Sequence, residues 1–167
     1  MKKIYSMAMI AVLLLICLTS LQAQTTETKL DQMELMKQFI GSWKYDNPDG
    51  SSMIFENISF GNAMVGNTRY ISKDTIFDQN KYLWGYDKKN DKIIIAELFN
   101  DNPVMEIDVV WFTSKNIVEG VLQKDISNPE NASTKFKFEF KSQDTFILTV
   151  SQNSNIVAEL TWNRQKK

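Results

Sequence analysis

The sequence has 167 residues, a formal net charge of −1, one cysteine and no histidine. This charge lacks the basic excess that nucleic-acid binding requires, so we expect no nucleic-acid partner. The lack of histidine excludes a histidine general base, histidine-ligated zinc and histidine-ligated haem. Carboxylates, tyrosine, lysine and arginine are the groups left for enzymatic chemistry.

The first 23 residues have the three-part pattern of a secretory signal. Lys2 and Lys3 precede an apolar run from Met7 to Leu18, and a short polar segment leads to Ala23. The run is shorter than the about 20 apolar residues of a membrane helix. The sequence therefore predicts cleavage after Ala23 rather than an uncleaved anchor. We expect an exported protein, periplasmic or secreted, with no stable membrane span after cleavage.

Cleavage would change the chemistry available to the chain. Removing residues 1–23, with Lys2, Lys3 and Cys17, would leave 144 of the 167 residues, with 17 basic and 20 acidic side chains. The mature chain would then have neither a disulfide nor a thiol nucleophile, although export permits disulfides. A lipid anchor at Cys17 is not favoured, because Ile16 stands where a lipoprotein signal has a small residue.

After a polar leader, residues 24–28, the sequence predicts one domain over residues 29–167. Apolar residues at three- and four-residue steps predict a short helix over about Lys29 to Phe39, which Gly41 ends. Beyond Gly41 the apolar period is two, and turn clusters divide the chain into about ten short strands. An all-β sandwich and an all-β barrel both fit this pattern.

Two short motifs at the ends of this domain favour the barrel. Gly41-x-Trp43 opens the first strand and Arg164 closes the last; a hairpin follows Tyr82. The chain resembles the calycins (lipocalins and fatty-acid-binding proteins), in particular small secreted bacterial lipocalin-like domains of unknown function. The resemblance implies an antiparallel up-and-down β-barrel of about 8–10 strands with a short N-terminal helix. It also implies that Trp43 plugs one end, with Arg164 packed across its ring in a cation–π contact.

A calycin-like barrel implies an interior that can hold a small hydrophobic molecule. Tyr82, Trp84 and Tyr86 share one strand face, and a second strand offers Trp111 with its apolar neighbours. These side chains either line a cavity or fill the core. The candidate ligand-binding residues are Tyr45, Arg69, Tyr82, Trp84, Tyr86 and Trp111.

Arg69 has two interpretations that depend on its orientation. If Arg69 faces inward, it could bind a ligand carboxylate with two hydrogen bonds, as interior arginines do in fatty-acid-binding relatives. If Arg69 faces outward, it is a solvated charge, and the sequence favours this second interpretation.

Glu97 and Glu119 are weak candidates for catalysis. Each shares a predicted face with apolar residues of its strand, and burial would raise its pKa toward that of a general acid or base. Glu106 and Asp108 are predicted to face outward. No nucleophile motif, phosphate-binding loop or metal-ligand spacing accompanies them, and we expect no metal and no cofactor. Nitrobindin-like calycins bind haem through a histidine, which this chain lacks.

The leading hypothesis is therefore an exported lipocalin-like protein that binds a small hydrophobic or amphipathic molecule inside the barrel. One alternative is an enzyme, of isomerase or hydrolase type, that uses interior carboxylates. Another is a structural or partner-binding module of the cell envelope with a filled interior. The sequence favours binding over catalysis.

Overall fold

Ten antiparallel strands form one closed barrel in which each strand pairs with the next and β10 returns to pair with β1. The computed structural model describes residues 29–73 and 75–166. The predicted signal, residues 1–23, and the predicted leader, residues 24–28, lie outside the described residues. The strands are β1 (Gly41–Asp46), β2 (Ser52–Phe60), β3 (Ala63–Ser72), β4 (Thr75–Asp87), β5 (Lys92–Phe99), β6 (Met105–Ser114), β7 (Ile117–Leu122), β8 (Thr134–Ser142), β9 (Thr145–Gln152) and β10 (Asn155–Arg164). The predicted all-β up-and-down barrel is confirmed.

The two ends of the barrel differ. At the helix end, β1 begins, β10 finishes and a short helix lies across the opening. At the opposite end, here called the loop end, residues 100–104 connect β5 to β6 and residues 123–133 connect β7 to β8. The second connection contains two 3-10 turns, Gln123–Asp125 and Pro129–Asn131. The longest irregular segments of the barrel therefore surround the loop end.

The predicted helix is present as α1 (Gln32–Met36) followed by a 3-10 turn, Lys37–Phe39. The Asp31 carboxylate caps its first turn by accepting a hydrogen bond from the Glu34 amide at 3.0 Å. The buried Gln32 side chain accepts from the Phe112 amide at 2.7 Å and donates to the Phe112 carbonyl at 3.0 Å. These two bonds fasten α1 to β6. No helix in the described part of the chain is long and apolar enough to cross a membrane.

Aromatic rings fill the helix end of the barrel. Phe39 and Trp43 are both fully buried. The ring of Phe39 lies 4.9 Å from that of Phe140, and the ring of Trp43 lies 4.8 Å from that of Phe146, both edge to face. Edge-to-face pairs at such distances add stability beyond the area that they bury. The helix end is thus a packed core.

Trp43 and Arg164 make the contact that the resemblance to calycins implies. The Arg164 guanidinium carbon lies 4.0 Å from the centre of the Trp43 ring. The guanidinium donates to the Ile40 carbonyl at 2.6 Å and to the Gln38 carbonyl at 3.1 Å. Gly41 has φ +125°, and a Cβ at this position would lie 2.5 Å from Nη1 of Arg164. Glycine at Gly41 therefore gives Arg164 room to reach the end of the 3-10 turn.

Candidate functional site

A cavity of about 220 Å³ lies inside the barrel between the aromatic cluster of the helix end and the loop end. Residues from eight of the ten strands line it, so the site depends on closure of the whole barrel. The lining residues are Met53, Phe55, Thr68, Gln79, Asn80, Tyr82, Trp84, Ile95, Glu97, Asp108, Phe136, Phe138, Phe146, Leu148 and Trp162.

Aromatic rings form one part of this lining. The ring centre of Phe55 lies 5.4 Å from that of Tyr82 and 6.0 Å from that of Trp162, and both pairs are edge to face. Phe146 stacks on Trp162 with ring centres 6.0 Å apart. Phe138 also contributes, because the Phe residues of β8 face inward as their alternation with charged residues predicts. This part of the cavity suits an apolar or aromatic ligand group.

Polar side chains from β3, β4 and β5 form a connected group in the same lining. The Thr68 and Tyr82 hydroxyls lie 2.9 Å apart, and the Asn80 amide nitrogen donates to the Tyr82 hydroxyl at 3.2 Å. The Asn80 amide nitrogen also donates to the Glu97 carboxylate. These bonds fix the orientation of Glu97 in the cavity.

A β-bulge brings two adjacent polar side chains into the cavity. Thr68 pairs with Asn80, but the next residue of β3, Arg69, pairs with Asp78, so Gln79 is an extra residue in β4. A bulge interrupts the alternation of inward and outward side chains. Gln79 and Asn80 consequently both line the cavity.

The cavity is acidic. Burial, with the nearby charges of Glu97 and Glu106, raises the pKa of Asp108 to about 7. Burial also raises the pKa of Glu97 above its ordinary value, although hydrogen bonds from Asn80 and Tyr82 act in the opposite direction. The pKa of Tyr82 is raised as well, mainly by burial. None of the described residues that line the cavity is basic.

Several buried polar atoms of the lining have no hydrogen-bond partner among the described residues. The acceptors are Gln79 Oε1, Asn80 Oδ1 and Asp108 Oδ1, and the donors are Nε1 of Trp84 and Nε1 of Trp162. A buried polar atom without a partner costs about 1–3 kcal/mol. A bound polar molecule that hydrogen-bonds to these five atoms would explain why they all surround one cavity.

The structure brings together three of the residues singled out from the sequence. Tyr82 and Trp84, predicted to bind a ligand, and Glu97, a weak catalytic candidate, all line the cavity. Glu119, the other catalytic candidate, is exposed on the outer face of β7. Their roles in binding or catalysis stay predictions.

The other four predicted ligand-binding residues do not line the cavity. Arg69 lies on the outer face, where its Nη2 donates to the Glu56 carboxylate at 2.7 Å. Trp111 is also on the outer face, with Lys92 Nζ 3.7 Å from its ring centre. The ring of Tyr45 packs against that of Trp162, with ring centres 5.8 Å apart.

Tyr86 lies at the helix end, beyond the cavity. Its hydroxyl donates to the Asp91 carboxylate at 2.6 Å. The alternation along β4 explains this position, because each two-residue step from Tyr82 through Trp84 moves one pleat toward the helix end. Tyr86 shares the strand face of Tyr82 and Trp84 but lies too far along β4 to line the cavity.

The prediction that Glu106 and Asp108 face outward is wrong, because Asp108 lines the cavity and Glu106 shares its face of β6, opposite Glu97. The apolar run from Val109 to Phe112 includes buried residues on both faces of β6. Val109 pairs with Val121 on the outer face, and both are buried there. Because both faces of β6 bury apolar residues, the order of polar and apolar residues does not show which face points into the barrel.

Sequence reasoning also missed Asn80, although its position carries a usable signal. Asn80 stands two residues before Tyr82 and four before Trp84, which places all three on one strand face. Gln79 carries no comparable signal, because its orientation depends on the bulge. The described residues contain no group of three or more His, Cys, Asp or Glu arranged to hold a metal ion.

Comparisons of the chain with models of protein families, with curated proteins and with solved structures found no match. The ten-strand antiparallel barrel with one short helix is consistent with a calycin-like barrel. The geometry of the cavity is therefore the basis on which a function is proposed.

Proposed function

We propose that this protein binds a small amphipathic molecule inside its barrel. The observation that carries the proposal is the interior cavity of about 220 Å³, whose lining has aromatic rings and five buried polar atoms without a partner among the described residues. Ligand sites in proteins combine an apolar lining with a few convergent polar groups in this way. The aromatic groups would hold the ligand body, and the polar groups would fix its orientation.

The size of the cavity limits the ligand. A cavity of about 150 Å³ in a protein core is large enough to bind benzene. The cavity here, at about 220 Å³, has room for one aromatic ring or a short aliphatic group with a polar substituent. A long acyl chain would need more space than this cavity provides.

Two features support a calycin-like assignment as part of the proposal. The first is the contact of Trp43 with Arg164 at the helix end, which follows from the Gly41-x-Trp43 opening. The second is the short helix before β1, held across the barrel end by Gln32. Calycins use barrels of this form as containers for small molecules, which agrees with a binding role.

Export is also part of the proposal, and it is supported by the pattern of residues 1–23. Expression of the full chain in a bacterium, followed by fractionation and N-terminal sequencing, tests it. We expect the protein outside the cytoplasm with Gln24 as its first residue. An intact N-terminus on protein that stays in the cytoplasm would contradict export.

Native mass spectrometry of the purified protein, before and after organic extraction, tests the binding proposal. We expect a bound small molecule that extraction removes, and binding of a hydrophobic dye to the extracted protein. Leu148→Trp, which fills the cavity, should abolish both signals. Leu83→Trp is the matched control, because Leu83 is 60 % exposed on the outer face of β4.

The opposite result would favour a filled structural barrel. If the protein carries no small molecule, and the extracted protein binds no dye, the binding proposal is wrong. Thermal melts of both variants would show whether a lost signal reflects a blocked cavity or a lost fold.

Acid–base catalysis is a second candidate function, favoured by the presence of Glu97 and Asp108 in one cavity. A carboxyl group whose pKa is near 7 can both give and take a proton at neutral pH, and Asp108 has such a pKa. Incubation of the protein with its own extracted ligand would show a change in ligand mass or structure if the protein is an enzyme. An unchanged ligand would leave binding as the function.

A further inference from the structure

The acidic groups of the cavity are concentrated on two neighbouring strands. Glu97 of β5 and Asp108 of β6 both line the cavity, and Glu106 pairs with Glu97 across the two strands. Glu106 is exposed, so it lies where this acidic group reaches solvent. The ligand would therefore meet negative charge on one side and aromatic rings on the other.

A second observation comes from buried hydrogen-bond acceptors on this side of the cavity. Asn80 is only 8 % exposed, and its Oδ1 has no partner among the described residues. Oε1 of Gln79 and Oδ1 of Asp108 are likewise buried and unpaired. All three atoms accept hydrogen bonds and cannot donate them while Asp108 is ionised. This side of the cavity therefore suits a ligand group that has several hydrogen-bond donors.

We infer that the cavity, if it binds a ligand as proposed above, takes a small molecule with a cationic amine head and a body of about one aromatic ring. The ammonium group has three hydrogen-bond donors and a positive charge, which match the unpaired acceptors and the carboxylates. The aromatic lining, which includes Trp84 and Trp162, holds the ring.

An anionic ligand fits this cavity poorly. A ligand carboxylate would lie close to Glu97 and Asp108, and none of the described lining residues is a base that could compensate its charge. Arg69, the residue that could have bound a carboxylate, is on the outer face and paired with Glu56. The cavity therefore selects against fatty acids and other carboxylates.

The ionisation of Asp108 gives the binding a defined pH dependence. Its pKa is about 7, raised first by burial and then by Glu97 of β5 and Glu106 of β6. Tyr82 of β4 is the other titratable group of the lining, while β7 presents Leu122 opposite Asp108. Below neutral pH Asp108 is protonated and attracts the amine less. Affinity for an amine should therefore rise between pH 5.5 and pH 8, with about pH 7 as its midpoint.

Three probes with the same ring and different heads test the inference: benzylamine, benzyl alcohol and benzoate. Isothermal titration calorimetry of the extracted protein at pH 8 should show benzylamine binding about tenfold or more tightly than benzyl alcohol, because charge-assisted hydrogen bonds are the stronger ones. Benzoate should bind more weakly than both. The preference for benzylamine over benzyl alcohol should decrease at pH 5.5.

The double variant E97Q/D108N should lose the preference for benzylamine. It should still bind benzyl alcohol, which would show that the cavity remains intact. The matched control E119Q, on the outer face of β7, should bind all three probes as the unaltered protein does. If the double variant binds benzylamine as tightly as before, the carboxylates do not recognise the head and the inference is wrong.

The inference and the proposed function fail in different ways. If the three probes bind equally, or benzoate binds best, the inference is overturned while binding in the cavity stands. If benzylamine does not bind at all, the inference is overturned as well. The proposed function fails with it only if native mass spectrometry and dye binding are also negative.

Discussion

The helix end and the cavity of this barrel are built from the same strands but differ in how their buried polar atoms are hydrogen-bonded. At the helix end, Trp43 Nε1 donates to the Phe39 carbonyl at 3.0 Å, and Arg164 donates to backbone carbonyls of the preceding turn. In the cavity lining, Nε1 of Trp84 and of Trp162 has no partner among the described residues. The indole N–H of Trp43 is therefore hydrogen-bonded, whereas those of Trp84 and Trp162 lack a partner among the described residues.

This difference indicates a division of roles. A buried group that is packed and hydrogen-bonded stabilises the fold, whereas a buried group without a partner costs stability. Proteins keep such costs where function requires them. The helix end would then provide the stability that lets the acidic cavity exist, and substitutions at the helix end and in the cavity should have opposite effects on stability.

Trp43→Ala should have the largest effect, a loss of about 3–5 kcal/mol in the free energy of unfolding. Trp43 is fully buried and contacts Phe140, Phe146 and Arg164. Urea unfolding would measure the loss. Trp111→Ala is the matched control, because Trp111 is a half-buried residue of the outer face. A loss below about 1 kcal/mol for Trp43→Ala would mean that this residue does not hold the barrel end together.

Gly41→Ala should destabilise the fold by about 2–4 kcal/mol, through backbone strain and a clash with Arg164. Gly41 has a positive φ, and an added Cβ would lie 2.5 Å from the guanidinium. Gly85→Ala is a close control, since Gly85 has no positive φ and no atom within 4 Å of an added Cβ. Equal melting temperatures for the two variants would show that Arg164 does not need the space at Gly41.

Asp108→Asn should stabilise the protein at pH 8 by about 1–3 kcal/mol and change little at pH 4. The folded chain holds the Asp108 proton more tightly than the unfolded chain, since its pKa is raised to about 7 from 3.8. Stability should therefore fall as the pH rises from about 4 to about 7, and the amide removes that loss.

Thermal melts of Asp108→Asn across this pH range would measure the effect. Asp101→Asn, in the exposed β5–β6 connection, is the control for the loss of one carboxylate outside the cavity. A destabilised Asp108→Asn at pH 8 would show that the ionised carboxylate has a stabilising partner in the folded protein.

Arg69→Ala should have the smallest effect, about 0.2–1 kcal/mol, because its ion pair with Glu56 is partly exposed. It should leave the affinity for benzylamine unchanged, since Arg69 is on the outer face. Chemical unfolding and calorimetry would measure the two quantities. A changed affinity would place Arg69 in contact with the ligand.

The sequence predicts most of the fold because each element has a local signal. The apolar spacing around Met36 and Phe39 indicates the helix, and the alternation in β8 indicates which Phe residues face inward. The contact of Trp43 with Arg164 joins the two ends of the domain, and only the family resemblance predicts it. The face that Glu97 shares with Ile95 is predicted by parity and confirmed by its place in the cavity.

The cavity itself is less predictable, for two physical reasons. Gln79 enters the lining through a bulge, which depends on the pairing of β3 with β4 and leaves no mark in the sequence of β4. Asp108 precedes an apolar run that is buried on both faces of β6, so polarity does not reveal its orientation. The acidic character of the site was missed for this second reason.

The most direct test of a division between the helix end and the cavity uses the indole N–H signals of the four tryptophans. Two-dimensional ¹H–¹⁵N spectra would be recorded during a benzylamine titration at pH 8, with each signal assigned by a Trp→Phe variant. We expect the signals of Trp84 and Trp162 to shift with saturation, while those of Trp43 and Trp111 stay in place. Shifts at Trp43 or Trp111 with none at Trp84 and Trp162 would contradict a binding site in the cavity.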